Sequence, residues 1–411
     1  MKRLAINGSQ PINTKSFPAW PRYDQSEQQA LLKVLQSGQW GATKGNEVKE
    51  FEQQFADFHQ AKFGIATTSG TTALSIALRA SGIGPGDEVI LPGYTFVASA
   101  TSILDALAKP VFVDIDLDSF NIDTSKIEAS ITKQTKAIMP VHFGGRPADM
   151  DKINMLAQKY NLTVIEDACQ AWGSKFNGKY SGSLGTAGCY SFQSSKNITA
   201  GEGGMILTNN EKIADLARSI SNCGRNPDGL WYAHYLWGGN YRMTEFQGAL
   251  LQVQLSRYTE LHEKRELAAD YLDQAIRQLE GYNTLSPIPS SSRSSWHIFV
   301  FKLDLEKWDG IGKNKIIEAI RAEGIPISPG YSLPVYQQPL FKVKNFGLDH
   351  DFSRIFNDLP DFEKFHLPCT EQAVFHQGLW LTQNIMLAEN QQLDVLVDGL
   401  AKVYQFREEL K

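Results

Sequence analysis

Between residues 63 and 210 the chain alternates short, continuous apolar runs with amphipathic stretches, and this alternation constrains the fold more than any single residue. Residues 63–67, 88–91, 110–114, 137–141 and 163–167 read as strands, with a helix over 72–80 and further helical segments between several of them. Runs that are apolar at successive positions suit strands buried on both faces. The pattern therefore predicts an α/β fold with a mainly parallel sheet covered by helices on both sides. Two more strand-like runs follow at 188–192 and 204–208. Residues 244–279 read as one long helix or two abutting ones, and a Pro/Ser-rich linker occupies 286–292. Beyond it come a strand at 297–301, a helix at 314–322 and a closing helix at 390–409. The expected division is a large α/β domain, residues 1–265, followed by a smaller α+β domain, residues 266–411.

Composition excludes several functional classes. A net charge of -5 over 411 residues leaves none of the clustered basic surface that nucleic-acid binding requires. No apolar stretch approaches the roughly 20 residues needed to cross a bilayer, and the N-terminus turns polar too soon for a signal peptide. Cys169, Cys189, Cys223 and Cys369 lie far apart without paired spacing, which argues against a metal knuckle or a disulfide framework. A cytoplasmic protein without a metal is the expectation.

Chemistry gathers at the ends of four strands. Ser69-Gly70-Thr71-Thr72 follows the first strand and opens a helix, where a glycine, hydroxyls and free N–H groups make a phosphate site. The glycine spacing fits neither the P-loop nor the dinucleotide fingerprint. Pro92-Gly93-Tyr94-Thr95-Phe96 puts an aromatic, Phe96, at the same edge, able to stack on a flat ring. Asp167 ends a buried strand, with Gln170 three residues on; a carboxylate there can pair with a protonated ring nitrogen or simply cap a helix. Lys196 sits in a polar, glycine-rich turn between the runs at 188–192 and 204–208. Its amine, with an ordinary pKa of about 10.4, becomes a nucleophile when desolvated or when bonded to an aldehyde cofactor. Each feature has an ordinary reading as a cap, a turn or a surface lysine. Their conjunction in one chain order points to covalent imine chemistry.

At Thr68–Thr71, Pro92–Phe96, Pro140-Val141-His142, Ile165–Gln170, Ser191–Gly204 and Gly239–Thr244 the sequence resembles the sugar aminotransferases of the DegT/StrS type, pyridoxal 5'-phosphate (PLP) enzymes of fold type I. The resemblance runs over nearly the whole chain. It implies that Lys196 carries PLP as a Schiff base and moves the proton, that Asp167 holds the pyridinium nitrogen, and that Gln170 bonds the ring hydroxyl side. Phe96 takes the stacking position. Gly70, Thr71 and Ser191 match phosphate contacts, with Asn240 reaching across from a second subunit of an obligate homodimer. The resemblance is nearest to the branch that aminates free ring ketones, which holds the inosose (cyclitol) aminotransferases of aminoglycoside antibiotic pathways and the 3-amino-5-hydroxybenzoate synthases. Glutamine or glutamate is then the amino donor, and a cyclitol or free keto-sugar the acceptor. His142, Tyr331 and Arg225 are the candidate substrate contacts. Trp172, where the family often has histidine, and Gln383-Asn384, in place of a histidine pair, bear on the acceptor. The alternatives are a nucleotide-linked keto-sugar as acceptor, a dehydratase on the same scaffold, or a non-catalytic regulator.

Overall fold

A computed structural model describes the chain apart from Met1, Lys2, Trp231, Ser290, residues 344–358 and Pro360. The central sheet has seven strands: β1 (Phe63–Thr67), β2 (Glu88–Pro92), β3 (Lys109–Val113), β4 (Thr135–Ile138), β5 (Thr163–Asp167), β8 (Ala187–Ser191) and β9 (Gly204–Thr208). A two-stranded ribbon, β6 (Lys175–Phe176) and β7 (Lys179–Tyr180), lies between β5 and β8 in the chain. The order across the sheet is β1-β9-β8-β5-β4-β2-β3. Strands β3, β2, β4, β5 and β8 pair in parallel, and β9 runs antiparallel to both β8 and β1. The mainly parallel sheet is therefore present, with one reversed strand.

The continuous apolar runs are explained by where successive residues go. Val89 and Leu91 pack with Ile165, Leu74 and Ile103 on one face, while Ile90, Val164, Ile138 and Ile153 pack together on the other. At the β8–β9 end, Tyr190, Met205 and Leu207 join Phe51, Phe55 and Phe192 in a further cluster. With both faces covered, most central strand positions are apolar, and the two-residue alternation disappears from the sequence.

The long helical stretch is two abutting helices, Glu245–Ser256 and Tyr258–Arg277. The second helix carries Ala269, Leu272 and Ile276 into a separate core around the antiparallel sheet β10 (Tyr282–Thr284), β11 (Ile298–Leu303) and β12 (Gly378–Thr382). Leu4, from the other end of the chain, packs in that same core, as do Leu396 and Leu400 of the closing helix Asn390–Gln405. No helix among the described residues is long and apolar enough to cross a membrane.

Candidate active site

Sheet order does what chain order alone cannot. Strands β1, β2, β5 and β8 all point the same way, so their carboxyl ends open on one edge of the sheet. There, Ser69, Gly70, Thr71, Phe96, Asp167, Gln170, Ser191 and Lys196 line a single cavity of about 440 Å³. Tyr331, His297 and Trp380 of the C-terminal segments complete its wall.

The helix Gly70–Ala80 begins at this cavity, with Ser69 as its N-cap accepting from Thr72 N at 3.2 Å. Two glycines are required here by space. A Cβ on Gly70 would stand 2.8 Å from both Cys169 Sγ and Ser191 Cβ, and one on Gly204 would stand 2.2 Å from the Ser69 carbonyl oxygen. Strand β9 thus presses directly on the turn, and the helix N-terminus it supports lines the cavity, a cradle suited to phosphate.

Asp167 is buried, at 5% exposure, and held from two sides. Ser99 Oγ donates to Oδ2 at 2.6 Å and Cys169 N donates to Oδ1 at 3.1 Å. No helix follows it, so its capping bond is local and the carboxylate still reaches the cavity. Gln170 Oε1 accepts from Gly144 N at 2.8 Å, and its Nε2 points at Tyr331 Oη at 3.5 Å. Burial pushes the Tyr331 phenol above its ordinary pKa, so it stays protonated. Phe96 is 58% exposed, an unusual state for a phenylalanine that lines a cavity.

Lys196 lies in the loop between β8 and β9, where its N donates to Gln193 O at 2.9 Å and its carbonyl accepts from Trp20 Nε1 at 3.0 Å. Its Nζ stands 5.8 Å from the centre of the Trp172 ring. Burial lowers the amine's pKa, against the pull of Cys169 and Asp167, which raise it. A lysine with more free amine at neutral pH is what imine formation requires.

A helix N-terminus with a glycine cradle, a fixed buried carboxylate and a desolvated amine around one cavity fit a phosphorylated pyridine aldehyde. The sequence decides the lineage: residues 21–357 match the model of the DegT/DnrJ/EryC1/StrS aminotransferase family. The chain belongs to that family. The L-glutamine:2-deoxy-scyllo-inosose aminotransferase of Streptomyces kanamyceticus is 33% identical to this aminotransferase over 428 residues, spanning 98% of this chain and 97% of the relative. Among solved structures, the aminotransferase from Psychrobacter cryohalolentis matches with a TM-score of 0.85 and 32% identity, covering 96% of this chain and 100% of that one. The 3-amino-5-hydroxybenzoic acid synthase matches with a TM-score of 0.82 and 30% identity, covering 94% and 98%. This chain is thus a PLP-dependent aminotransferase of fold type I.

The substrate candidates separate. Tyr331 lines the cavity. His142 is fully buried away from it, with Nε2 on Glu166 Oε2 at 2.9 Å and Nδ1 accepting from Ala148 N at 3.1 Å, so both ring nitrogens are committed to the core. Arg225 lines a different cavity, of about 560 Å³, beside Arg218 and Arg242. Asn240 is exposed and does not line this chain's own cavity. Trp172 and Gln383 are buried, at 0% and 2% exposure, and neither lines the cavity. Gln383 Oε1 instead accepts from Arg265 Nε and Nη2 at 3.0 and 2.6 Å. Sequence reasoning missed Ser99, His297 and Trp380, none of which sits in a motif around the cofactor residues.

Proposed function

We propose that this aminotransferase moves an amino group from glutamine to the keto group of a cyclitol ring, in aminocyclitol biosynthesis. The observation that carries the reading is the convergence of Lys196, Asp167, Gln170 and the Ser69–Thr71 turn on one cavity. Similarity to an inosose aminotransferase over 98% of the chain supports the choice of acceptor.

In this reading Gly70, Thr71 and Ser191 hold the phosphate, Asp167 keeps the proton on the ring nitrogen, Gln170 holds the ring's hydroxyl side, and Phe96 covers its face. Bound PLP supplies the electron sink that stabilises a carbanion at the donor carbon. Lys196 Nζ, already desolvated, would be the base that takes up the donor carbon's proton and gives it back as an acid; general acid–base help of this kind is worth about 10²–10⁴ in rate. Asp167 is fixed by Ser99 and Cys169 before any ligand arrives, so its charge needs no reorganisation during the reaction.

The reading makes the enzyme a cytoplasmic homodimer in which Asn240 completes the phosphate site of the second subunit. Support comes from its exposed position at the end of a chain segment in which Leu230, Tyr232 and Trp237 are 79%, 67% and 77% exposed. The same reading divides the chain into a cofactor-binding domain, 1–265, and a smaller domain, 266–411. The deciding experiment loads the enzyme with amino groups from glutamine and offers it inososes, free keto-sugars and nucleotide-linked keto-sugars. Discharge by an inosose is the expected result; discharge by nucleotide-linked sugars alone would refute it.

A further inference from the structure

Tyr331, Trp380 and His297, the residue just before β11, line the cavity together. Trp380 and Tyr331 meet edge to face, with ring centres 4.8 Å apart, and Trp380 Nε1 is tied to Tyr94 Oη at 3.2 Å. Both aromatics are therefore fixed, and they offer the cavity an apolar surface. His297 is the imidazole in this wall, and its tautomer is set by its neighbours. Asn197, the residue after the Schiff-base lysine, donates from Nδ2 to Ser295 O at 2.7 Å, which turns its Oδ1 toward His297 Nδ1 at 3.1 Å. An amide oxygen only accepts, so Nδ1 carries the hydrogen. Burial, with Lys196 and Arg265 nearby, drives the imidazole's pKa well below 6.5 and keeps the ring neutral. Nε2 is then a bare acceptor. Among the described residues only Nδ1 of this ring is hydrogen-bonded, and the ring lines the cavity.

We propose that His297 recognises the acceptor: its Nε2 accepts a hydrogen bond from a ring hydroxyl of the polyhydroxylated ketone, while Trp380 and Tyr331 flank the ring's C–H faces. This deepens the proposed function and rests on its reading of the acceptor as a hydroxylated ring. The neutral acceptor is matched to a hydroxyl donor. A site for a carboxylate or phosphate would need a donor or a positive charge at this position. Because Asn197 orients the ring from the next position after Lys196, acceptor recognition is held in register with the reacting amine.

The test uses the full-length holoenzyme with His297→Phe, which removes the acceptor, and His297→Gln, which places an amide oxygen near Nε2. His297→Met serves in place of the phenylalanine variant if that chain fails to fold. Three single-turnover rates are compared: glutamine loading, discharge by scyllo-inosose, and discharge by cyclohexanone, a ring ketone without hydroxyls. In His297→Phe the inosose rate falls about 10–100-fold, the loss typical of one buried hydrogen bond. The glutamine and cyclohexanone rates stay within about threefold, and His297→Gln regains most of the inosose rate. Equal losses with inosose and cyclohexanone, a parallel loss in glutamine loading, or no loss at all would overturn the proposal. If wild-type enzyme discharges only to a nucleotide-linked keto-sugar, the cyclitol reading fails. The His297 assignment is then decided by the same variants on that sugar, whose ring also carries hydroxyls.

Discussion

Ser99 Oγ donates to Asp167 Oδ2 at 2.6 Å, joining a helix that follows β2 to the end of β5 across 68 residues of chain. Thr95 Oγ1 lies 2.8 Å from the same Ser99 hydroxyl, so the carboxylate that lines the cavity is aimed by a relay of two buried hydroxyls. Asp167→Asn keeps the shape but removes the charge. Its expected outcome is a folded protein that still binds PLP and loses about 10²–10³ in kcat, the scale on which a preorganised electrostatic partner counts. Ser99→Ala leaves the charge and frees its orientation, so a smaller loss in kcat is expected, read in the same steady-state assay.

Lys196→Ala should abolish the yellow absorbance that PLP gives when covalently attached, along with the bleaching of that band by borohydride. In the wild type, the lowered pKa of Lys196 sets the pH dependence of attachment. The free amine reacts, so the rate at which apoenzyme takes up PLP covalently rises with pH. It levels off at a pH below the ordinary lysine value, measured by stopped-flow absorbance.

Gly70→Ala tests the cradle. The added methyl meets Cys169 Sγ and Ser191 Cβ at 2.8 Å, and overpacking of this kind costs about 1–3 kcal/mol. The variant should bind PLP at least about tenfold more weakly in equilibrium dialysis. Adding Cys169→Ala relieves one of the two contacts and should restore part of the affinity.

Arg265 is fully buried, and Gln383, a neutral amide, takes its Nε and Nη2, while Nη1 has no hydrogen-bond partner among the described residues. Burial lowers the guanidinium's pKa to about 10. Gln383→Leu removes an acceptor from a buried cation and should cost about 1.5–3 kcal/mol in a denaturant titration. Gln383→Glu supplies a countercharge to a cation already buried and should raise Tm.

His59 gives the fold an acid limit. It is fully buried, its Nε2 accepts from Gly173 N at 3.1 Å, and burial holds its pKa at about 3. The unfolded chain, with an ordinary pKa of about 6.5, binds the proton that the folded protein refuses. Stability is thus complete above about pH 6.5 and is lost as pH falls toward 3, by about 2 kcal/mol from this residue between pH 7 and 5. His262, shifted to about 3 mainly by burial, adds to the slope. Unfolding free energies at pH 7 and 5 should show the drop, and His59→Gln should reduce it.

Much of the cavity lining was legible in the sequence because its parts are local. Ser69–Thr71, Asp167 with Gln170, and Lys196 each sit within a few residues of a strand end, and a strand end in a parallel sheet has a defined place. Strand positions were legible for a related reason, since burial on both faces leaves an unmistakable apolar run. The run at 137–141 still misled by a few residues: the strand is Thr135–Ile138, and the chain then continues past Met139 to a lone bridge from Val141 to Asp167.

The sequence by itself determined the layered fold and the four strand-end groups, which follow from periodicity and short-range spacing, and the family, through the resemblance of its motifs and the match over residues 21–357. Only the tertiary structure decided which histidine lines the cavity. His142 and His297 look alike as letters beside strands. One has both nitrogens taken by Glu166 and Ala148 in the core, and the other has a single nitrogen taken by Asn197 and lines the cavity. Ser99 and Trp380 were likewise invisible beforehand, and Gln383, read from the sequence as bearing on the acceptor, is instead the buried partner of Arg265. Their partners, Asp167, Tyr94 and Arg265, lie 68 to 286 residues away, and no local pattern encodes a hydrogen bond made across that distance.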